Sequence, residues 1–446
     1  MLRRLLLIVA VLCLATSWPS TVRGQTLSDL IPDLVGSNIV DNFRGPTGGP
    51  DHTRHFVPDF VLRALGSLQQ INSAIVSQLP TFPVGSSSGG FTYMFDTAAG
   101  TFSRRSESFG PAFAERALTI GRQRFSFGMN YQRGTYDRLA GRDLDDGDLK
   151  FYIRHNDCCP PAAAGTSPLE PPFEGDVVSA ALSIDLTTNI VAFFGDFGVT
   201  DNLDVGVAVP IVSVDLGASV TTTILRLATE GITPPFHSWT ESGSAERAPI
   251  SRRDSATGLG DILVRAKYNF LRRGPGGLAA AVDLRLPTGE VEELLGAGAT
   301  QAKFFLIGST AVGAVNPHFN FGYTVSGEGP KNQTDEVNFA TGLDFSATDR
   351  LTLSADVIGR TLRDARRFVD TDSTFQFRTM AGVPLQSRTF TELGLEDGNL
   401  NLMLGAAGFK YNPTGNLLVS VNVLFPLSKA GLHDRITPVI GFDYAF

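Results

Sequence analysis

Histidine and cysteine offer the widest chemistry of any side chains here, and there are few of either. The stretch His155-Asn156-Asp157-Cys158-Cys159 packs four potential ligands into five residues. Adjacent cysteines rarely place both sulfurs on one ion, so two other readings stay open: a strained disulfide between Cys158 and Cys159, or thiols that are free or pair between molecules. The chain has 3 Cys in all, and the third, Cys13, falls in a segment expected to be removed, so no disulfide framework can form. His52-Thr53-Arg54-His55 sets two imidazoles at a spacing that serves a metal on a helix, but a third ligand is lacking, and no metal is expected. His237, His318 and His433 have no Ser or Asp at a spacing that announces a triad, so no catalytic residue and no enzyme is expected. Gly258 and Gly260 lack the third glycine and the following helix of a dinucleotide site, and no cofactor is expected. The net charge of -8 disfavours nucleic acid, which needs a basic face.

Charge is patterned differently, at every second position of apolar runs. Ile262, Val264, Ala266, Tyr268 and Phe270 alternate with Asp261, Leu263, Arg265, Lys267 and Asn269. Leu278, Ala280, Val282, Leu284 and Leu286 alternate with Ala279, Ala281, Asp283, Arg285 and Pro287. Further runs centre on Phe127, Phe321, Phe339, Leu353 and Val421. Period two means strands, and the pleat leaves only two sides. If the apolar set faces lipid, Asp261, Arg265, Lys267, Asp283 and Arg285 face inward, and Asp356 and Arg360 are inward candidates on a later strand. Such charges either satisfy one another across strands and anchor a plug, or orient the polar end of a passing solute.

The elements that would position them form a transmembrane barrel. No apolar run after the N-terminus reaches the ~18 residues of a spanning helix. Hydrocarbon offers no partner for backbone N–H and C=O groups, so spanning strands must close into a ring. Short turns at 200–203, 273–276, 315–317, 348–351 and 412–415 alternate with polar stretches at 218–256, 288–300, 326–335, 362–397 and 427–434, the asymmetry of periplasmic turns and outer loops. Counting runs from 124 to 446 gives twelve strands, with 124–155 taken as one interrupted strand; adding 91–97 and 101–121 gives fourteen. Fourteen is the expected number and twelve the fallback. The fold class is therefore all-β, an antiparallel barrel over 91–446. Ile440, Phe442, Tyr444 and Phe446 share one face of the last strand, a pattern that resembles the outer-membrane assembly signal.

Residues 1–24 read as a secretory signal, with Arg3 and Arg4, an apolar run from Leu5 to about Thr16, and Val22 and Gly24 before Gln25. Residues 25–90 show helical spacing over Leu27 to Val40 and again through Phe60, Ala64, Leu68, Ile71, Ile75 and Leu79. They are expected to plug the lumen, to hang in the periplasm, or to lie on the membrane surface.

Gly258-Leu259-Gly260-Asp261, Lys267-Tyr268, Leu286-Pro287-Thr288-Gly289 and Gly296-Ala297-Gly298 together resemble the outer-membrane barrels named for the meta-pathway of phenol degradation. The resemblance covers about 175–446 and extends more distantly to long-chain fatty-acid and aromatic-hydrocarbon channels. It implies passive uptake of hydrophobic or aromatic small molecules and supplies no catalytic residue. The Arg-rich stretch Arg360 to Arg367 and the Cys158-Cys159 pair depart from those channels. The expected partners are outer-membrane lipid, lipopolysaccharide phosphates near Arg363, Arg366 and Arg367, the barrel assembly machinery, and a hydrophobic solute. Two alternatives stand beside the channel: a structural or adhesive surface barrel that conducts nothing, and a general porin with a wide, charged lumen.

Overall fold

Alternation becomes a closed wall in the computed structural model, which describes residues 26–40, 71, 75, 78, 90–96, 101–104, 106–155, 175–240, 242–329, 334–379 and 383–446. The signal segment, His52, His55, Cys158 and Cys159 lie outside the described residues. Twelve strands make the ring. They are β1 (Phe125–Tyr136), β2 (Val177–Gly198), β3 (Leu203–Leu225), β4 (Ile262–Arg273), β5 (Gly276–Leu286) and β6 (Gln301–Ser309), followed by β7 (Val315–Ser326), β8 (Glu336–Thr348), β9 (Leu351–Phe377), β10 (Gln386–Tyr411), β11 (Leu417–Pro426) and β12 (Thr437–Ala445). Each pairs antiparallel with its neighbour in sequence, and β12 closes on β1 through Val439↔Gln132 to Ala445↔Ser126.

The two faces of this wall differ as the hydrocarbon requires. Outward side chains such as Phe304 and Phe321 are 53% and 50% exposed, an apolar surface that only lipid can cover. The inward set includes Asn269, Asp283, Asn320 and Asp356, all buried. The ring is a transmembrane β-barrel. Its connections at 199–202, 274–275, 310–314, 349–350 and 412–416 are short and share one end with the start of β1 and the end of β12. The other end carries the long connections.

The wall closes at the smaller of the two anticipated numbers. Residues 91–97 and 101–121 do not add strands to it: Tyr93–Asp96 and Thr101–Arg104 pair only with each other, and 106–121 is irregular. The continuous sheet does hold fourteen strands, but the two outside the ring are Leu149–Arg154, paired with β2, and Ile250–Leu259, paired with β3. They line parts of β2 and β3 that stand beyond the ring.

Two stretches expected as loops also contain strand. β3 runs to Leu225 inside 218–256, and 362–397 is the upper half of a long β9–β10 hairpin, paired from Ala365↔Gly398 to Phe377↔Gln386. Their polar composition hid them, because a strand standing in water needs no apolar outer face. Cross-strand pairs hold the hairpin instead, among them Arg367 Nη2 to Glu396 at 2.8 Å and Arg366 Nε to Asp397 at 3.4 Å. Those pairings partly neutralise the arginines expected to meet lipopolysaccharide. The turn placed at 315–317 lies at 310–314, and Val315 to Pro317 already pair with β8.

Helix α1 (Leu27–Val40) has Thr26 at its start, whose hydroxyl donates to Asp29 at 2.8 Å. Leu27, Leu30, Ile31 and Leu34, with Ile71 and Ile75, share one buried cluster with the inward residues Leu182, Leu186, Val214 and Leu216, and the helix lies against β3 and the strand Ile250–Leu259. The Ser28 hydroxyl and N–H both reach Glu292, in the connection between β5 and β6, at 2.6 and 3.0 Å. This cluster therefore sits at the long-loop end.

Candidate functional site in the barrel lumen

Segment 106–121 crosses the bore at the short-turn end, and side chains of the wall take the place of a paired strand. The Ser108 hydroxyl donates to Asp344 of β8, and the Phe109 N–H to Thr352 Oγ1 of β9 at 3.0 Å. Phe113 and Ala114 N–H groups donate to Asp356 Oδ2 at 2.8 and 3.3 Å. Glu115 N–H donates to Asn320 Oδ1 of β7 at 2.6 Å, and the Asn320 amide returns a bond to the Glu115 carbonyl at 2.8 Å. Further along, Ala117 N–H meets Ser309 Oγ of β6, Asn269 of β4 donates to the Ala117 carbonyl, and Ile120 N–H meets Asp204 Oδ2 of β3. A buried segment without a sheet partner must find such acceptors, and inward-pointing polar residues supply them.

Above this segment lies a cavity of about 170 Å³. Its lining mixes Phe113, Leu263, Phe305 and Ile358 with four cations, Arg265, Arg285, Lys303 and Arg360, and three carboxylates, Glu115, Asp283 and Glu336. Arg265 makes a two-point contact with Asp283, Nε to Oδ1 and Nη2 to Oδ2 both at 2.5 Å, and also pairs with Glu115. Arg360 grips Glu336 the same way, at 3.1 and 2.5 Å. Planar guanidinium forks suit such paired geometry. The Phe305 ring lies under Lys303 Nζ at 4.7 Å and Arg265 Cζ at 5.3 Å.

The seven charged residues singled out in the sequence fall into three groups. Arg265, Asp283, Arg285 and Arg360 line the cavity. Lys267 and Asp356 lie lower, under segment 106–121: Lys267 Nζ is 3.6 Å from Glu115 and 3.9 Å from Asp204, and Asp356 takes a bond from His318 Nε2 at 2.6 Å besides its two N–H donors. Asp261 is a staple for the connection between β5 and β6, accepting from Gly289 N–H at 3.1 Å and Ala297 N–H at 2.8 Å, and does not reach the cavity. The resemblance block Gly258 to Gly298 is thus a loop anchor. Glu115, Lys303 and Glu336 were not singled out. Alternation of Gln301, Lys303 and Phe305 with Ala302, Phe304 and Leu306 would have put Lys303 inside, whereas reading 101–121 as a strand hid Glu115.

His237 and His433 stand apart from the cavity. His237 Nδ1 lies 2.9 Å from the buried Asp176 carboxylate, which also accepts from the Thr229 hydroxyl at 2.7 Å, in the long-loop region. Burial holds the His433 imidazole below its ordinary value. Ile440, Phe442, Tyr444 and Phe446 point outward together, and the Phe446 N–H donates to the Phe125 carbonyl at 2.9 Å.

No curated protein matches the sequence. Among solved structures, an outer membrane channel from Pseudomonas putida F1 is similar at 10% identity and a TM-score of 0.42, over 74% of this chain and 98% of that one. A Pseudomonas aeruginosa FadL homologue is similar at 12% identity and a TM-score of 0.31, over 74% and 91%. The Ralstonia pickettii toluene transporter TbuX is similar at 12% identity and 0.27, over 73% and 90%. The profile of one sequence family matches residues 165–387, half of the chain, and the chain belongs to that family, described as "Putative MetA-pathway of phenol degradation".

Proposed function

We propose that this protein is an outer-membrane channel for passive uptake of hydrophobic or aromatic small molecules. The observation that carries the reading is the lumen: a closed, lipid-facing ring that encloses a cavity with aromatic and aliphatic side chains on its lining. Membership of a family described by phenol degradation favours an aromatic cargo. On this reading the short turns face the periplasm and the long connections face outward. Residues 1–24 direct export, and 25–90 supply the outer part of a plug of which 106–121 is the inner part. Ile440, Phe442, Tyr444 and Phe446 of the terminal strand serve assembly, and Asp261 and Asp356 fasten the β5–β6 connection and segment 106–121 to the wall.

One observation favours a second reading, a surface barrel that conducts nothing. Segment 106–121 spans the bore on hydrogen bonds to six wall strands. Reconstitution into liposomes separates the two. Phenol should enter protein-containing liposomes several-fold faster than empty ones. Equal rates, for the parent and for a chain with 106–121 replaced by a Gly-Ser linker, would leave the non-conducting barrel standing.

A further inference from the structure

Outward side chains change character in a fixed order up the wall formed by β1, β2, β3 and the strand Ile250–Leu259. The last apolar row is Tyr131, Val191 and Ile211, paired across the strands, with Tyr131 37% and Ile211 39% exposed. The next row up holds Arg133, Asn189, Ser213 and Thr257. Arg133 is exposed, and no carboxylate among the described residues pairs with it. Higher still, where β2 and β3 stand beyond the ring, Thr187, Asp215 and Ser255 form one row and Ser183, Ser219 and Ser251 another. Along β2 and β3 these positions alternate with the buried Ile184, Leu186, Val214 and Leu216, so the rows face away from the bore.

Between the two upper rows Arg253 lies over Gly217, pairing with Asp215 at 2.7 Å and with Asp185. A Cβ at position 217 would stand 3.2 Å from the guanidinium, so the glycine is what lets the fork lie against the strand. An open cleft of about 630 Å³ covers this part of the face, with Asp137 and Asp145 also on its lining. That is within the range of about 300–1,000 Å³ of small-molecule sites, and it is room for a short run of sugar rings.

Contact with water alone does not call for such a surface, since the upper β9–β10 hairpin meets water with charge pairs. Hydroxyls on a rigid sheet, with a guanidinium fork and its carboxylates fixed among them, offer donors and acceptors to the vicinal hydroxyls of a sugar. The carboxylates of the cleft, Asp137, Asp145 and Asp185, repel phosphate, whereas Arg133, about 20 Å lower along the strands, suits it. Apolar, then cationic, then hydroxyl-rich is the order in which a lipopolysaccharide molecule presents its acyl chains, its phosphates and its sugars.

We infer that this face is a docking surface for lipopolysaccharide, with a lipid A phosphate on Arg133 and the sugars on the hydroxyl rows around Arg253. It takes the long connections to face outward, as the channel reading does, and is independent of what the lumen carries.

The test starts from the full-length barrel refolded in detergent and titrated with lipopolysaccharide of complete core, with lipid A, and with phosphatidylglycerol. Lipopolysaccharide should bind at least tenfold more tightly than lipid A, and a tenfold excess of phosphatidylglycerol should not displace it. The triple substitution Ser183→Val, Ser219→Val and Ser251→Val should bring lipopolysaccharide down to the level of lipid A and leave lipid A unchanged. Thr at the same three positions, equal to Val in shape but keeping the hydroxyls, should preserve the preference. Arg133→Gln should weaken both ligands several-fold and by the same factor. Each variant is first checked for heat-dependent gel mobility, so that a misfolded barrel is not scored. Equal binding of lipopolysaccharide and lipid A by the parent, displacement by phosphatidylglycerol, equal losses in the Val and Thr variants, or no effect of Arg133→Gln overturns the inference. In intact cells, Ser251→Cys should gain labelling over the parent by an impermeant maleimide when the sugars are truncated and be protected when they are complete. No gain in either strain would put this face in the periplasm and overturn the inference together with the orientation, while phenol uptake by liposomes would still decide the channel.

Discussion

Asp356 joins the barrel wall to the segment that crosses its bore. One carboxylate oxygen accepts two backbone N–H groups, from Phe113 and Ala114, while the other accepts from His318. A hydrogen bond to a charged acceptor contributes about 1.5–3 kcal/mol, and an amide at that position keeps an acceptor for one partner while presenting a donor to another. Asp356→Asn should therefore loosen segment 106–121 without opening the wall. In planar bilayers the variant is expected to show openings several-fold more frequent than the parent, with the same resistance to dodecyl sulfate. Unchanged single-channel traces would mean the segment is held elsewhere. Alternation alone put Asp356 on the inner face, as it did Arg265 and Asp283. Glu115, the further partner of Arg265, was hidden because it comes from a segment read as a strand, and only the assembled bore brings it within reach of Arg265.

At the scale of the element, polar strands are where sequence and structure part. Inside the membrane one face of each strand has to be apolar, and that requirement writes the period into runs such as 262–270 and 278–286. Above the membrane it lapses. The β9–β10 hairpin beyond Ala365 is stabilised by Thr374 to Thr389 at 2.9 Å, by Thr391 to Asp372 at 2.8 Å and by the charge pairs already described. Leu393 joins the large buried cluster with Phe368 against it, and a second apolar anchor is a cluster in which Tyr152 stacks on Phe390 at 4.6 Å with Phe375 at 5.9 Å from Phe390. Aromatic contacts of this kind contribute about 0.5–1.5 kcal/mol each beyond burial. Phe390→Ala should free the upper hairpin from Leu149–Arg154, so that trypsin cuts the intact barrel at Arg388 at least tenfold faster. An equal rate of cleavage would show that the hairpin stands on its own charge pairs. The opposite misreading, of 101–121 as a strand, arose because short apolar and polar residues alternate there by composition while the backbone turns its N–H groups to side chains of the wall.

The whole molecule is held by closure. With β12 on β1 every strand in the ring has two neighbours, and no row of unpaired backbone groups faces lipid. Unfolding must break the ring at once, so the protein refolded in detergent should run at an anomalous position on a dodecyl sulfate gel until it is boiled. Identical migration before and after boiling would contradict the closed wall.

Wall height is uneven around this ring. β11 stops at Pro426 and β12 starts at Thr437, while β9 continues to Phe377 and β10 begins at Gln386. The 13 paired residues from Ala365 to Phe377 would reach about 40 Å fully extended, or roughly 30 Å above the membrane after allowing for strand tilt. On the proposed orientation the tip of that hairpin is the part of the protein an antibody or a phage tail meets first, clear of the lipid. A peptide grafted between Phe377 and Gln386 would be carried on a rigid mast, which makes the barrel a ready scaffold for surface display whose cargo leaves the lumen undisturbed.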